Sequence, residues 1–429
     1  MTDTIFALAT ARGKAGIAVV RVSGPTALLA CEAFGVAGPL VPRRATLRDL
    51  IVDGAILDTC IVIYFAEESS FTGEKVVEFQ IHGSESVVSV LLKHLAKIPG
   101  LRSAQAGEFT RRALENGVMD LTQVEGLADL IDAETEAQRR QAQRVMSGAI
   151  GARAEDWKSD LVRAAALIEL TIDFVDEDIP LDVTPEVKEI VERLLSSFES
   201  EVRGSQINER VRAGFEIAII GAPNVGKSSL LNALAGRDAA ITSPFAGTTR
   251  DVIEVRLDIA GLPVTLLDMA GIRDTDDEIE KLGVSRALAR AETADLRLFL
   301  VEPGEMFFSH QERRGDVIVW TKADIVPGPR SISSLTGEGL DWLIDEIRME
   351  LDTRISGSGI LIRERHRNAV LQAIESMESA KQWLYHTPPS LELVAADLRA
   401  ASHALDLLVG RIGVENLLDE IFSRFCIGK

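Results

Sequence analysis

The 429-residue sequence predicts a multidomain α+β protein: a strand-rich N-terminal domain, a discontinuous α-helical domain and an inserted α/β P-loop domain. A chain of this length usually divides into two or three hydrophobic cores. Short apolar runs typical of strands occupy about the first 115 residues. Helical periodicity then flanks a central stretch in which strands and helices alternate, as they do in α/β domains.

The N-terminal stretch contains apolar runs at 17–22 and 60–66, which predict buried strands. Residues 75–82 alternate, so successive side chains should point to opposite faces of a third strand. A polar stripe of this kind is usually the solvated face of a strand, but it can also line a pocket. One face carries Val77, Phe79 and Ile81, and the other carries Glu78, Gln80 and His82.

Helical patterns run from about 120 to 208 and resume after 352. Thr184 and Pro185 suit an N-cap and a first helical position. We expect the two helical stretches to pack together as one domain, with the α/β domain inserted between them. The predicted bounds are 1–118 for the N-terminal domain, 119–211 and 353–429 for the two parts of the helical domain, and 212–352 for the inserted domain.

Composition limits the partners and the compartment. The formal charge of −20 predicts a surface that repels phosphate backbones, so any contact with nucleic acid needs a local basic patch. Cys31, Cys60 and Cys426 form no CxxC pair, which argues against a zinc site or a disulfide framework. Since no apolar stretch approaches ~20 residues and the first four residues are not a basic leader, we expect a cytoplasmic protein without membrane association.

The central region contains a phosphate-binding motif. An apolar strand at 215–220 leads into GAPNVGKS at 221–228, which fits G-x-x-x-x-G-K-[ST], and a helix follows. Backbone N–H groups of such a loop cradle phosphate oxygens. Lys227 should neutralise the β- and γ-phosphates, and Ser228 should bind Mg²⁺. A glycine-rich turn with an incidental lysine is the alternative, but the flanking strand and helix favour the P-loop.

Two later motifs select the nucleotide. Asp268 and Gly271 (D-M-A-G) follow a strand at 264–267, where a carboxylate can reach Mg²⁺ through water and a glycine N–H can contact the γ-phosphate. Asp324, in T-K-A-D, follows a strand at 317–320. Its carboxylate can accept both adjacent donors of guanine, a pair that adenine does not offer. These motifs predict a GTPase rather than an ATPase.

With these three motifs the region resembles the translation-factor-related P-loop GTPases. Thr321 stands where that group usually has asparagine, so we expect somewhat weaker guanine binding. Ile272 follows Gly271, where Ras-like proteins have a glutamine that orients water. Isoleucine cannot orient water, so either hydrolysis is very slow or another residue performs that role.

The segment 246–251 (AGTTRD) and the P-loop asparagine Asn224 resemble the GTPases that use a monovalent cation. The resemblance implies that K⁺ supplies the charge of an arginine finger, and that Thr249 is the second hydroxyl ligand of Mg²⁺. The implied K⁺ ligands are Asn224, Ser243, Phe245 and Thr248. The expected nucleotide contacts are Asn224, Val225, Gly226, Lys227, Ser228, Ser229, Ser243, Gly247, Thr248, Thr249, Asp268, Gly271, Thr321, Lys322, Asp324, Ser333 and Ser334.

Motifs near both ends make the whole chain resemble the MnmE (TrmE) family of tRNA-modifying GTPases. These motifs are RVSG at 21–24, SFTGE at 70–74, His82-Gly83, GEFTRRA at 107–113 and the C-terminal FCIGK. The resemblance implies an N-terminal domain that dimerises and binds 5-formyltetrahydrofolate or a related one-carbon derivative. It also implies an FAD-dependent partner, MnmG. The pair would add an aminomethyl or carboxymethylaminomethyl group at C5 of the tRNA wobble uridine.

The same resemblance assigns roles to single residues. Glu280 would orient the attacking water, which answers the problem posed by Ile272. Arg21, Glu78 and Lys429 match folate-contacting positions, and Met119 stands where that site should have a basic residue. Methionine cannot pair with the glutamate tail of folate.

Cys426 has three interpretations. A cysteine four residues from the end imitates a prenylation box, which Gly428 and Lys429 fit badly. A catalytic or substrate-contacting thiol and an unreactive thiol both remain open, with Lys227 and Glu280 as the other catalytic candidates. Two other functions compete: a GTPase switch for ribosome assembly that performs no RNA chemistry, and a stand-alone folate-dependent transferase with a regulatory G domain.

Overall fold

The computed structural model describes two compact units. The first comprises residues 1–128 and 409–429, and the second comprises 129–408. The described residues are 3–36, 38–173, 183–237, 253–268, 290–304, 313, 315–355, 359–412, 418, 421–422, 425 and 428. The three predicted boundaries, at 118/119, 211/212 and 352/353, stay predictions.

The first unit contains a six-stranded mixed sheet with the order β3-β4-β5-β2-β1-β6. Neighbouring strands are antiparallel except β1 and β6, which are parallel. The three predicted strands are confirmed as β2, β4 and β5. The strands are β1 (Thr4–Leu8), β2 (Ala15–Ser23), β3 (Thr46–Val52), β4 (Ala55–Phe65), β5 (Val76–Gly83) and β6 (Leu101–Ser103).

Strand β5 has one apolar face and one polar face, as its alternation predicts. Val77, Phe79 and Ile81 are buried in the core between the sheet and its helices, whereas His82 is exposed. Burial of such side chains stabilises a domain by roughly 1.5–3 kcal/mol each. The helices that begin in this unit are α1 (Ala27–Ala33), α2 (Glu85–Leu95), α3 (Glu108–Glu115) and α4 (Leu121–Asp132).

The described C-terminal residues pack within the first unit. Phe422 and Phe425 form an apolar cluster with Val124 of α4. Gly107 has a φ of 67°, and a Cβ there would lie 2.8 Å from the Phe422 ring. Gly428 approaches the Leu8 carbonyl so closely that a Cβ would lie 2.1 Å from it. Both glycines are therefore required by close approach.

In the second unit, helices precede and follow the central α/β domain along the chain. The long helix α7 packs against α6 and α10, which confirms that the two helical stretches associate. The N-cap prediction was wrong by one residue: Val183 is the N-cap, and Thr184 is already helical. The helices are α5 (Glu136–Met146), α6 (Ala149–Asp173), α7 (Thr184–Ala213), α8 (Lys227–Arg237), α9 (Leu340–Ile355), α10 (Glu364–Tyr385) and α11 (Leu391–Val409).

The inserted domain is built on a five-stranded sheet with the order β11-β10-β7-β9-β8. β7, β9, β10 and β11 are parallel, and β8 pairs antiparallel with β9. This is the α/β arrangement in which ligands bind at the carboxyl ends of the strands. The strands are β7 (Phe215–Gly221), β8 (Ile253–Ile259), β9 (Leu262–Asp268), β10 (Leu296–Val301) and β11 (Val317–Trp320).

Among the described residues, no helix combines the length and the apolar character that a membrane span requires.

Candidate functional site

The phosphate-binding loop connects the end of β7 to the start of α8. Asn224 and Gly226 have positive φ values of 63° and 108°, which let the chain turn back on itself. Gly221 is sterically required, because a Cβ there would lie 2.7 Å from the Leu300 carbonyl oxygen of β10. The loop is therefore packed against the neighbouring strand as well as curved.

Lys227 lies inside this loop. Its side chain is 8% exposed, and its Nζ donates hydrogen bonds to the carbonyl oxygens of Gly221 (2.7 Å) and Ala222 (2.9 Å). The loop thus holds the ammonium group at the position where a P-loop binds phosphate. Ser228 and Ser229 follow on the exposed first turn of α8. A hydroxyl at that helix terminus is the type of oxygen ligand that Mg²⁺ accepts, so the residues fit the metal.

The base-reading segment follows β11. Thr321 is 6% exposed, and both its N–H (2.9 Å) and its Oγ1 (3.3 Å) donate to the Val301 carbonyl oxygen at the end of β10. Lys322 has a φ of 58°, and its Nζ lies 2.8 Å from Glu302 Oε1. Asp324 is exposed, as a carboxylate that reads an incoming base must be.

A second loop supports the same region. Ser333 is buried, and its Oγ accepts hydrogen bonds from the N–H groups of Leu335 (3.3 Å) and Thr336 (3.2 Å). The Ala323 N–H donates to the Ile332 carbonyl at 3.0 Å, which joins the two loops next to Asp324. The structure therefore brings Thr321, Asp324 and Ser333 together as the sequence predicts.

Several predicted site residues lie outside the described part of the chain. Asp268 ends β9 opposite Ile219 of β7, two residues before Gly221, and only its backbone is described. The residues outside the described ranges are Ser243, Phe245, Gly247, Thr248, Thr249, Gly271, Ile272, Glu280, Cys426 and Lys429.

The first unit pairs two of the predicted folate-contacting residues. Arg21 of β2 lies directly opposite Glu78 of β5, and the Arg21 Nε donates to Glu78 Oε1 at 2.9 Å. The Arg21 guanidinium also lies 5.4 Å from the Phe71 ring centroid and 5.7 Å from that of Phe109. These contacts place a charged pair beside two aromatic rings, on the face of β5 that carries its polar residues.

Met119 has a different environment. It is half-buried and packs against the apolar cluster that contains Val124, Phe422 and Phe425. A thioether in this setting fills space between apolar side chains. Met119 therefore has a structural role in the first unit.

The first unit also contains a buried charge network around Arg112. Its role was not predicted from the sequence. Arg112 is fully buried, and its guanidinium donates to Glu74 (3.1 and 3.2 Å), to the Asp3 carboxylate (3.0 Å) and to Glu108 (3.2 Å). Burial raises the pKa of Glu108, but hydrogen bonds from Arg102, the Gln105 N–H and Arg112 outweigh it, so the net pKa is lowered. The motifs SFTGE and GEFTRRA supply Glu74, Glu108 and Arg112, so their charged residues were the available signal.

The two described cysteines are not candidates for a nucleophile. Burial raises the pKa of both Cys31 and Cys60 to about 12. A thiol with such a pKa is almost entirely protonated at neutral pH, and the thiolate is the reactive form. Cys426 remains the cysteine candidate from the sequence.

The family model described as "MnmE helical domain" matches residues 121–426, and that described as "GTP-binding protein TrmE N-terminus" matches residues 4–118. The chain belongs to the MnmE family of tRNA modification GTPases. It is 59% identical to the tRNA modification GTPase MnmE of Cereibacter sphaeroides and 55% identical to that of Ruegeria sp.. Each match covers 100% of both chains.

The chain is 25% identical to the solved structure of Aquifex aeolicus Era bound to GDP and AlF4⁻, and the match covers 38% of this chain and 66% of that one. Its TM-score is only 0.26. As a member of the MnmE family, the chain is a GTP-hydrolysing enzyme that binds GTP and Mg²⁺.

Proposed function

We propose that this MnmE-family enzyme uses a folate one-carbon unit to modify C5 of the wobble uridine of tRNA, together with the FAD-dependent protein MnmG. The product would carry an aminomethyl or carboxymethylaminomethyl group. The observation that supports folate use is the Arg21–Glu78 pair, which lies beside Phe71 and Phe109 on the face of β5 that carries its polar residues.

The chemistry of this pair suits the folate head group. A pterin ring presents an N–H and an adjacent exocyclic amine, and one carboxylate can accept both. Glu78 is 14% exposed and forms an ion pair with Arg21, which orients its carboxylate group. Arg21 has further N–H donors for a carbonyl oxygen. Because Met119 cannot supply a positive charge, the glutamate tail must be held elsewhere or weakly.

For GTP hydrolysis we propose that K⁺ supplies positive charge beside the transferring phosphate, with Asn224, Ser243, Phe245 and Thr248 as ligands. Asn224 is an exposed residue of the P-loop, and its φ of 63° contributes to the turn of that loop. Glu280 would orient the attacking water. Thr249 and Ser228 would hold Mg²⁺.

We further propose that the protein acts as a homodimer through its N-terminal sheet. Leu47 and Ile61 lie opposite each other on β3 and β4, and Leu47 is 65% exposed. Ile56 of β4 is 63% exposed. Exposed apolar side chains on neighbouring strands are typical of an interaction surface. Cytoplasmic location stays a prediction.

Modification of tRNA with an isotopically labelled folate tests the proposal. The full chain, MnmG with FAD and NADH, tRNA, GTP, an amine donor (ammonium or glycine) and the folate labelled in its one-carbon unit are combined, and label at the wobble uridine is measured by mass spectrometry of nucleosides. We expect label with the wild type and at least a tenfold lower yield with Arg21→Met. Arg44→Met removes an exposed arginine of the same unit and should retain the yield. An unlabelled modified uridine would disprove the folate source.

The hydrolytic mechanism is tested separately by GTPase rates in KCl and NaCl at equal ionic strength. We expect K⁺ to accelerate the wild type at least tenfold and Glu280→Ala to stay slow in both salts. Equal rates in the two salts would rule out the K⁺ role, and normal hydrolysis by the variant would rule out Glu280.

A further inference from the structure

Helix α5 carries an arginine-rich face that the GTPase and folate sites do not use. Arg139, Arg140 and Arg144 are exposed, together with Gln143 and Ser147. Arg140 and Arg144 are one turn apart, so they project from the same side of the helix at about 6 Å spacing. The face is therefore a compact set of guanidinium groups.

The face lies in a stretch without acidic residues, although the chain carries a net charge of −20. Residues 137–154 contain Arg139, Arg140, Arg144 and Arg153 and no aspartate or glutamate. At the chain's average density, a stretch of that length would hold about three acidic residues. Because the net charge is strongly negative, any contact with nucleic acid needs a local basic patch. The arginines of α5 form such a patch.

The inward face of α5 is fixed to the body of the second unit. The Gln138 Nε2 donates to the Arg212 carbonyl at 3.0 Å, and the Gln141 Nε2 donates to the Asn208 carbonyl at 2.9 Å, both on α7. Thr135 and Gln138 form a capping box at the start of the helix. These contacts hold the helix firmly, so its arginines extend from a rigid support.

One acidic residue moderates the face. Glu136 accepts hydrogen bonds from Arg139 (2.7 and 2.9 Å) and Arg140 (2.7 Å), which lower its pKa to about 2. Arg139 is 52% exposed and Arg140 is 75% exposed. Ion pairs with this exposure contribute little free energy, so an incoming phosphate can compete for the same guanidinium groups.

We propose that the outward face of α5, defined by Arg139, Arg140, Gln143 and Arg144, binds the phosphate backbone of tRNA. The identity of the RNA rests on the proposed function. Arginine binds phosphate in a bidentate manner, and glutamine can donate to phosphate or sugar oxygens. Such contacts position the RNA without reading its sequence.

Binding of a tRNA transcript to the full chain tests the proposal over a series of KCl concentrations. The test variant is R139Q/R140Q/R144Q. The control is R163Q/R193Q/R203Q, which removes the same charge from exposed, ion-paired arginines on α6 and α7. At about 0.1 M salt we expect the test variant to bind at least tenfold more weakly, with a salt slope smaller by about 3. The control should stay within threefold of the wild type.

A variant that binds tRNA more tightly than the wild type guards against misfolding as the cause of lost affinity. Glu136→Gln frees Arg139 and Arg140, so it should bind tRNA about threefold more tightly. If the wild type binds tRNA and the test variant binds equally well with the same salt slope, the inference is wrong and the proposed function is untouched. If the test and control variants lose affinity equally, binding follows net charge and not this face, which also overturns the inference. If the wild type does not bind tRNA, both fail.

Discussion

The P-loop of the second unit and the charge network of the first unit are both built around a buried basic side chain, but they differ in the range of their contacts. Lys227 binds carbonyl groups five and six residues away. Arg112 binds Glu74 and Asp3, which are 38 and 109 residues away. A site with local contacts can be recognised from a short motif. A site assembled through sheet pairing requires the fold.

The largest expected effect comes from removing the local site. Lys227→Ala should lower kcat/KM for GTP by about a thousandfold, because the phosphates lose their nearest fixed positive charge. Steady-state phosphate release measures it. The matched control, Arg237→Gln, removes a partly exposed charge from the other end of α8 and should act like the wild type. Activity within tenfold of the wild type in Lys227→Ala would contradict the role of this lysine.

Removing the long-range site should instead affect folding of the first unit. Arg112→Met leaves Glu74 and Glu108 without their shared partner, and breaking a buried pair costs about 3–5 kcal/mol. Hydrogen exchange of peptides that cover β2 and β5 measures the loss of stability in the first unit. Tryptophan fluorescence would report on the second unit instead, because all four tryptophans lie there. Arg44→Met is the control. Unchanged protection of these strands would show that the network adds no stability.

The network also predicts that the stability of the first unit depends on pH. The pKa of Glu108 is lowered in the folded protein from its ordinary 4.5, so its ionised form stabilises the fold above that pH and the stabilisation is lost as pH falls. Calorimetry should show the first unit's transition, identified by its shift in Arg112→Met, moving to lower temperature below about pH 4.5. Glu108→Gln should weaken this dependence. An equally steep dependence in that variant would assign it to other carboxyl groups.

The smallest expected effect concerns the base-reading segment. The Thr321 hydroxyl makes one long hydrogen bond of 3.3 Å to Val301, and asparagine would add the amide that related GTPases use. Thr321→Asn should therefore bind GDP about fivefold more tightly, which corresponds to roughly 1 kcal/mol. Fluorescence titration with a labelled nucleotide measures it. Equal or weaker binding would show that threonine suits this loop as well as asparagine does.

Much of the nucleotide site followed from the sequence because its parts are contiguous. The strand before the P-loop, the glycines that turn it and the start of α8 at Lys227 lie within about a dozen residues. The alternation at 75–82 likewise predicted which face of β5 is buried, since side-chain direction alternates with a period of two.

The rest depended on pairing between distant segments. Arg21 and Glu78 meet because β2 and β5 pair in one register, and a shift by one residue would separate them. The burial of Arg112 follows from α3 packing beside β1 and the 70–74 segment, which no local pattern encodes. The helix start at 184 was misplaced because Val183, a poor capping residue, precedes a threonine that suits a cap.

The most direct test of the account is whether the Arg21–Glu78 pair binds folate. Isothermal calorimetry of the full chain with 5-formyltetrahydrofolate should show binding that Arg21→Met weakens at least tenfold and Arg44→Met leaves within twofold. That result would support a folate site assembled by the pairing of β2 and β5. No binding by the wild type, or equal binding by Arg21→Met, would contradict it.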